Sequence, residues 1–342
     1  MPQPGFLQIE LTTRCNENCV HCYIPRENRN QDIDPELLCD LLNQSKEMGI
    51  EEIIFSGGEP MLHPGFLEAI DRANWHGFRT RVFSNLTLLS DDILFQLKKW
   101  QVHEIQTSLY SIDPEIHDRV TKMPGSCELT LRGIKNLIDR NINIFICCAL
   151  TKLNKHSYPG VLAFALQIGA NVAPNNLITA QTDQGKSNLE FRLDNEEALE
   201  VIREVLENDT AYDAERFRPG YRNPDGALPC ARNVCTSSIC VNARGEVIPQ
   251  PGWQKVMGDL NRQSLRDIWE NSPEIKRIQN INIRDFPKCG ICPNIQFCGM
   301  SLEGNANENP SGDPFAIPEN VCALAEATRI LVHSYHAAKE TA

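Results

Sequence analysis

The chain has 342 residues and a mass of 38.5 kDa, more than one typical domain and fewer than three. Apolar residues make up 41% and charged residues 23%, enough for a sizeable core and against extended disorder. Its 33 basic and 45 acidic residues leave a net charge of −12, which argues against general binding to nucleic acid or to an anionic membrane.

No basic segment followed by an apolar one opens the chain, so no signal peptide is read and a cytoplasmic protein is expected. Phe6 to Leu11 reads as a short strand, and Asp34 as the N-cap of a helix over Pro35 to Met48 with Leu37, Leu38, Leu41 and Leu42 at helical spacing. Glu52 to Phe55 is an apolar strand ending at Gly57-Gly58. Further strands are expected at Arg79–Phe83, Glu104–Leu109, Ile142–Leu150 and 171–179, with helices at 65–76, 91–100, 128–140, 156–168 and 195–208. The longest apolar run, Ile144 to Leu150, falls far short of the roughly 20 residues that span a bilayer, so no membrane partner is expected. About six β/α units at this spacing imply parallel strands with helical crossovers. A barrel fits better than a nucleotide-binding doubly wound sheet, because no Gly-x-Gly-x-x-Gly follows the first strand.

Character changes after residue 210. Ala211 to Leu228 is rich in Arg, Pro, Gly and Asp and reads as a linker. Val241 to Ile248 looks like a hairpin turning at Arg244-Gly245, Leu265 to Ile278 like one helix, and Val321 to Lys339 like another. The chain therefore divides at the level of sequence into 1–209, a linker 210–228, a cysteine-rich segment 229–325 and a terminal helix 326–342. So few long periodic segments in 230–325 suggest that metal holds that part together.

Fourteen cysteines in a chain with no export signal point to metal rather than disulfides. Cys15, Cys19 and Cys22 lie within eight residues in the loop after the first strand. Chance would produce such a triplet about 0.02 times in a chain of this composition. Three thiolates can hold three corners of a 4Fe–4S cube and leave one iron open for chemistry. The alternative is a zinc site completed by His21, which sits awkwardly between two ligands. Cys289, Cys292 and Cys298 with the distant Cys322 suffice for a closed cluster or a four-thiolate zinc ribbon. Cys39, Cys127, Cys147 and Cys148 read as small buried hydrophobes. His117-Asp118 reads as a helix-start hydrogen bond rather than a proton relay.

Cys15-x3-Cys19-x2-Cys22 followed by Tyr23, with Ser56-Gly-Gly-Glu-Pro60 at the end of the next strand, closely resembles the radical S-adenosylmethionine (SAM) superfamily. That resemblance implies a partial (β/α)6 TIM-like barrel with a small irregular C-terminal iron–sulfur domain. It also implies SAM bound at Gly57, Gly58, Glu59 and Pro60, with Ser84, Asn85, Ser108, Asn154 and Tyr23 at similar places. Glu59 and the strand-end carbonyls would accept bonds from the SAM ammonium, and the paired glycines would let the backbone approach it. SAM on the open iron would yield a 5′-deoxyadenosyl radical that takes hydrogen from an unactivated C–H bond.

The second cysteine group and the stretch Gly258 to Trp269 resemble the SPASM extension of radical SAM peptide maturases, with Cys289, Cys292, Cys298 and Cys322 as an auxiliary 4Fe–4S site. At that extension's other auxiliary site the family has cysteines where this chain has Gln250 and Leu302. Three readings stay open there: no cluster, a second auxiliary cluster rebuilt on Cys230, Cys235 and Cys240, or thiols that are catalytic or structural. The rebuilt cluster is the expectation. The resemblance points to a precursor peptide as substrate, modified by cross-linking, epimerisation or oxidation, with an electron donor such as flavodoxin or ferredoxin. A leader-binding partner, if used, is expected to be a separate protein, because the chain starts directly at the barrel strand. The competing readings are modification of a tetrapyrrole side chain and, from another class, a zinc-binding scaffold.

Overall fold

A computed structural model describes residues 4–209, 235, 237–281 and 285–340. The expected linker 210–228 and Cys230 lie outside the described residues. Six strands form first: β1 (Phe6–Thr12), β2 (Glu52–Gly57), β3 (Arg79–Phe83), β4 (Glu104–Ser108), β5 (Ile144–Ala149) and β6 (Asn171–Asn175). Helices α1 (Pro35–Glu47), α2 (Phe66–Trp75), α3 (Asp91–Lys99), α4 (Pro114–Thr121), α5 (Ser126–Asp139), α6 (Tyr158–Ile168) and α7 (Asn195–Asn208) intervene or follow. Every pairing from β1 to β6 is between sequence neighbours and parallel, as crossover helices require.

The strand pleat explains the two faces. Leu7, Ile9, Leu11, Ile53, Phe55, Val82, Ile105 and Ile146 are fully buried and join one core with Leu41, Leu42, Ile70, Leu94, Leu97, Ile134 and Leu137 of the helices. The alternate positions Gln8, Glu10 and Ser56 face the other way, and Gln8 Nε2 donates to Ser56 Oγ at 2.8 Å. Helix α1 starts where its sequence says: Asp34 accepts from the amides of Glu36 and Leu37 at 2.9 and 3.0 Å, and Pro35 fills the first turn.

The C-terminal part continues the same sheet. Strands β7 (Ser238–Val241), β8 (Glu246–Ile248) and β9 (Gly258–Asp259) form an antiparallel meander, and β7 lies parallel to β1 with Gln8 opposite Cys240. The resulting nine-stranded order is β6-β5-β4-β3-β2-β1-β7-β8-β9. Four helices complete the described chain: α8 (Leu265–Asn271), α9 (Pro273–Gln279), α10 (Leu302–Glu308) and α11 (Glu319–Glu340). Helix α11 packs on α7, where Tyr335 Oη donates to the Leu206 carbonyl at 2.6 Å.

Three expectations are corrected here. The single helix over 265–278 is two, because Pro273 has no amide to donate and keeps Ser272 out of helical geometry; Ser272 closes α8 and caps α9. The strand over 171–179 ends at Asn175, and the terminal helix begins at Glu319 rather than Val321. Helices α4 and α10 were not anticipated. No described helix is long and apolar enough to cross a membrane.

Candidate active site

The loop after β1 carries Cys15, Cys19 and Cys22, and backbone bonds pin it at several points. Gly58 N donates to the Thr12 carbonyl at 2.7 Å and Glu59 N to the Arg14 carbonyl at 2.8 Å, so the end of β2 grips the start of the loop. A Cβ on Gly57 would lie 2.2 Å from Thr12 O, and one on Gly58 would lie 2.1 Å from Arg14 O. Gly57 also has φ of +133°. The glycine pair is therefore demanded by the cysteine loop's own backbone. Farther along, Asn18 N and Val20 N donate to the carbonyls of Thr121 and Val120 at the end of α4, both at 2.9 Å. Arg29 Nη1 donates to the Glu17 carbonyl at 2.8 Å, and Arg29 also bonds the Ile24 carbonyl.

These ties bring the three thiols into one electrostatic neighbourhood. Burial pushes the Cys15 thiol up to about 12 and raises Cys19 and Cys22, and Cys19 feels the charge of both other cysteines. Arg29 opposes the rise at Cys22. Among the described residues no three His, Cys, Asp or Glu side chains converge as ligands of a single ion do. The trio thus shares a loop and a field rather than one point, and as a donor set three buried thiols on one fixed loop suit a multi-iron cluster whose positive charge offsets their desolvation. His21, between two of the cysteines, turns its ring to Tyr110 at 5.0 Å between centroids, and its Nδ1 has no partner. Burial holds it near 4, so it is neutral. Glu17 Oε2 accepts from Cys19 Sγ at 3.2 Å, whereas its Oε1 is buried without a partner.

Glu59 is fully buried and its carboxylate is already engaged. Ser84 Oγ donates to Oε1 at 2.9 Å, Asn85 N to Oε2 at 2.8 Å and Met61 N to Oε1 at 3.1 Å. Burial outweighs these donors and raises its pKa to about 7. These bonds make it a clasp that ties the end of β3 to the turn after β2, with Pro60 buried at the start of a short 3₁₀ turn. Asn85 reaches the loop itself: its Nδ2 donates to Asn16 Oδ1 at 3.1 Å and lies 4.0 Å from Cys15 Sγ.

Asn154 lies in the turn after β5. Its Oδ1 accepts from Thr151 N and Oγ1, both at 2.8 Å, and its Nδ2 donates to the carbonyls of Tyr110 and Ala149, both at 2.9 Å. A side chain so filled closes that turn. Tyr23 is likewise committed, with its Oη donating to Glu10 Oε1 at 2.9 Å. Ser108 ends β4 and bonds Tyr110, whose Oη lies 3.9 Å from Cys19 Sγ. Arg29 was missed in the sequence, since it has no spacing signal and meets the loop only through the fold.

The second thiol group also shares one electrostatic neighbourhood, and among the described residues it too has no three side chains converging as ligands of a single ion do. Cys289 and Cys298 each feel the charges of Cys292 and Cys322, although Cys322 reaches them from the first turn of α11. Four thiols from one loop and one helix fit a closed cluster. Cys235 and Cys240 are buried, at 0% and 1% exposure, and Cys235 Sγ lies 3.5 Å from Met257 Sδ. Of the remaining cysteines, Cys127 and Cys148 are buried while Cys39 and Cys147 are partly exposed.

Comparison with known proteins agrees with this geometry. Residues 9–165 match the Radical SAM superfamily, and residues 230–294 match SPASM, an iron–sulfur cluster-binding domain. The AdoMet-dependent heme synthase of Methanosarcina barkeri is 26% identical over 319 residues, covering 86% of this chain and 90% of that protein. A PqqA peptide cyclase of Xanthomonas axonopodis is 25% identical over 291 residues, 81% of this chain and 77% of its own. Among solved structures, Streptococcus suis SuiB bound to the precursor peptide SuiA superposes with a TM-score of 0.70 at 16% identity, covering 93% of this chain and 76% of SuiB. At that identity the likeness speaks for the fold.

Proposed function

We propose that this chain, an enzyme of the radical SAM superfamily with a SPASM domain, acts on a ribosomally made peptide, forming a cross-link, an epimer or an oxidised residue. The observation that carries the reading is the clamp between the loop of Cys15, Cys19 and Cys22 and the Gly57-Gly58-Glu59 turn, which fixes three thiols at the strand ends of a partial barrel. When bound there, the cluster and SAM would supply a 5′-deoxyadenosyl radical able to take hydrogen from an unactivated C–H bond. The chain's own residues do the rest. Cys15, Cys19 and Cys22 would hold the cluster's iron. Glu59 fixes the ends of β2 and β3, and Asn85 and Asn16 form the rim beside Cys15. Val20, Tyr110 and Val120 pack behind the loop and keep water from it. Cys289, Cys292, Cys298 and Cys322 would hold an auxiliary cluster, and a flavodoxin or ferredoxin would deliver the electron.

Support for a peptide comes from the PqqA peptide cyclases among the relatives and from the fold shared with peptide-bound SuiB. The tetrapyrrole reading keeps its own support in the heme synthase relative. Anaerobic incubation of the reduced protein with SAM and either candidate precursor peptides or a carboxylated tetrapyrrole, read by mass spectrometry, separates the two. A mass change in a peptide is expected. A change in the tetrapyrrole alone would reverse the substrate assignment, and absence of 5′-deoxyadenosine with every substrate would remove the radical chemistry. A colourless protein with stoichiometric zinc would mark the scaffold reading.

A further inference from the structure

The family's first auxiliary cluster takes ligands at the positions of Gln250 and Leu302, and the groups found there do not fit it. Gln250 Nε2 donates to Glu303 Oε2 at 2.5 Å, and Thr179 Oγ1 donates to Glu303 Oε1 at 3.2 Å. Leu302 is 1% exposed and belongs to the main apolar core. The turn after Gln250 is shaped around the carboxylate: Gly252 has φ of +86°, and a Cβ there would lie 2.3 Å from Glu303 Oε1. One helical turn farther along α10, Asn307 Nδ2 donates to the Gly252 carbonyl at 2.8 Å and to the Ala180 carbonyl at 3.3 Å. Residues 303 and 307 share one face of α10. That face therefore bonds both the turn after β8 and the barrel segment 179–180. The described thiols nearby are spent on packing, Cys235 against Met257 and Cys240 inside β7 between β1 and β8.

We infer that this Gln250–Glu303–Thr179 joint, reinforced by Asn307, stands where the first auxiliary cluster would be, and that the chain holds a single auxiliary cluster. The joint does by hydrogen bonds what a cluster does by coordination: it fastens α10 to the hairpin and to the barrel. Leu302 seals it on the apolar side. Cys235 and Cys240 are packing thiols on this account. The inference rests on the superfamily reading, and the test keeps the two apart.

The test counts iron and sulfide in the full chain reconstituted anaerobically. About eight irons are expected from two 4Fe–4S clusters, and about twelve would overturn the joint while leaving the superfamily intact. Zinc with no iron would sink both. Two variants place the clusters. Cys15→Ala/Cys19→Ala/Cys22→Ala should keep about four irons, and about eight would mean a second auxiliary cluster. Cys235→Ala/Cys240→Ala should keep the full parental count, and a loss of about four would overturn the inference. Hydrogen exchange reads the joint itself: Glu303→Ala/Asn307→Ala should speed exchange across 302–308 at unchanged iron content. Unchanged protection there would refute the fastening role.

Discussion

Gly57 and Gly58 show what a single residue discloses in sequence and what it withholds. Two glycines after a strand announce a backbone that passes close to something, and that much is legible. The something is the Thr12–Arg14 backbone, a partner distant in sequence and adjacent only once β1 and β2 have paired in register. Glu59 and Asn154 follow the same logic, since a polar residue at a strand end looks alike whether it meets a cofactor or its neighbours' amides. Gly58→Ala should therefore act on the cysteine loop. With a Cβ 2.1 Å from Arg14 O and 2.6 Å from its carbonyl carbon, the loop has to move, and the contact is to backbone that no side-chain rotation relieves. The reconstituted variant is expected to lose about four irons relative to the parent, with the auxiliary site retained. Gly77→Ala is the control. Its φ is +74° and nothing lies within 4 Å of the added carbon, so it should cost about 1–2 kcal/mol in a thermal melt and keep its iron. Equal iron content in the two variants would defeat the clamp.

At the scale of elements, the six β/α units were legible because their strands are apolar and their helices carry caps and periodic leucines, as at Asp34 and α1. Helix α4 was not, since Pro114–Thr121 is short and buries only His117, Val120 and Thr121. Helix α10 was hidden by a glycine and two asparagines, poor helix formers that the tie of Asn307 compensates. The turn between α4 and α5 matters because it carries the cysteine loop. Asp118 accepts from Gly125 N at 2.6 Å, Cys127 N at 2.9 Å and Ser126 Oγ at 2.9 Å, capping α5 from within α4. These donors hold its carboxyl below the usual range despite burial. The helix-start role read for Asp118 in the sequence is the one it plays. Two residues on, Val120 and Thr121 receive the amides of Val20 and Asn18. Asp118→Ala should cost about 2 kcal/mol in chemical denaturation and speed amide exchange at residues 18 and 20 as well as at 125–127. Exchange changes confined to 125–127 would show that the cap does not reach the loop. Asp118→Asn, which keeps an acceptor, should recover part of both effects.

The whole molecule carries an unusual load of buried acid. Glu10, Glu17, Glu59 and Glu303 are all pushed from 4.5 up to about 7, in each case chiefly by burial. A carboxyl whose folded pKa lies above its unfolded one binds more protons when folded, so its contribution is complete below about 4.5 and is lost as pH rises through about 7. His21 and His117 act in the opposite sense. Burial lowers both from 6.5 to about 4, so they cost stability as pH falls through that interval. Between about 4.5 and 6.5 the four carboxyls outnumber the two imidazoles, and from 6.5 to 7 the carboxyls act unopposed. The cluster-free chain should therefore melt several degrees lower at pH 7.5 than at pH 5.5. Glu303→Gln should flatten this slope by removing one of the four. Tyr23→Phe should steepen it, because the Tyr23 hydroxyl is the side-chain donor that favours ionised Glu10. A melting temperature that rises over the same interval would show that these carboxyls are not held protonated.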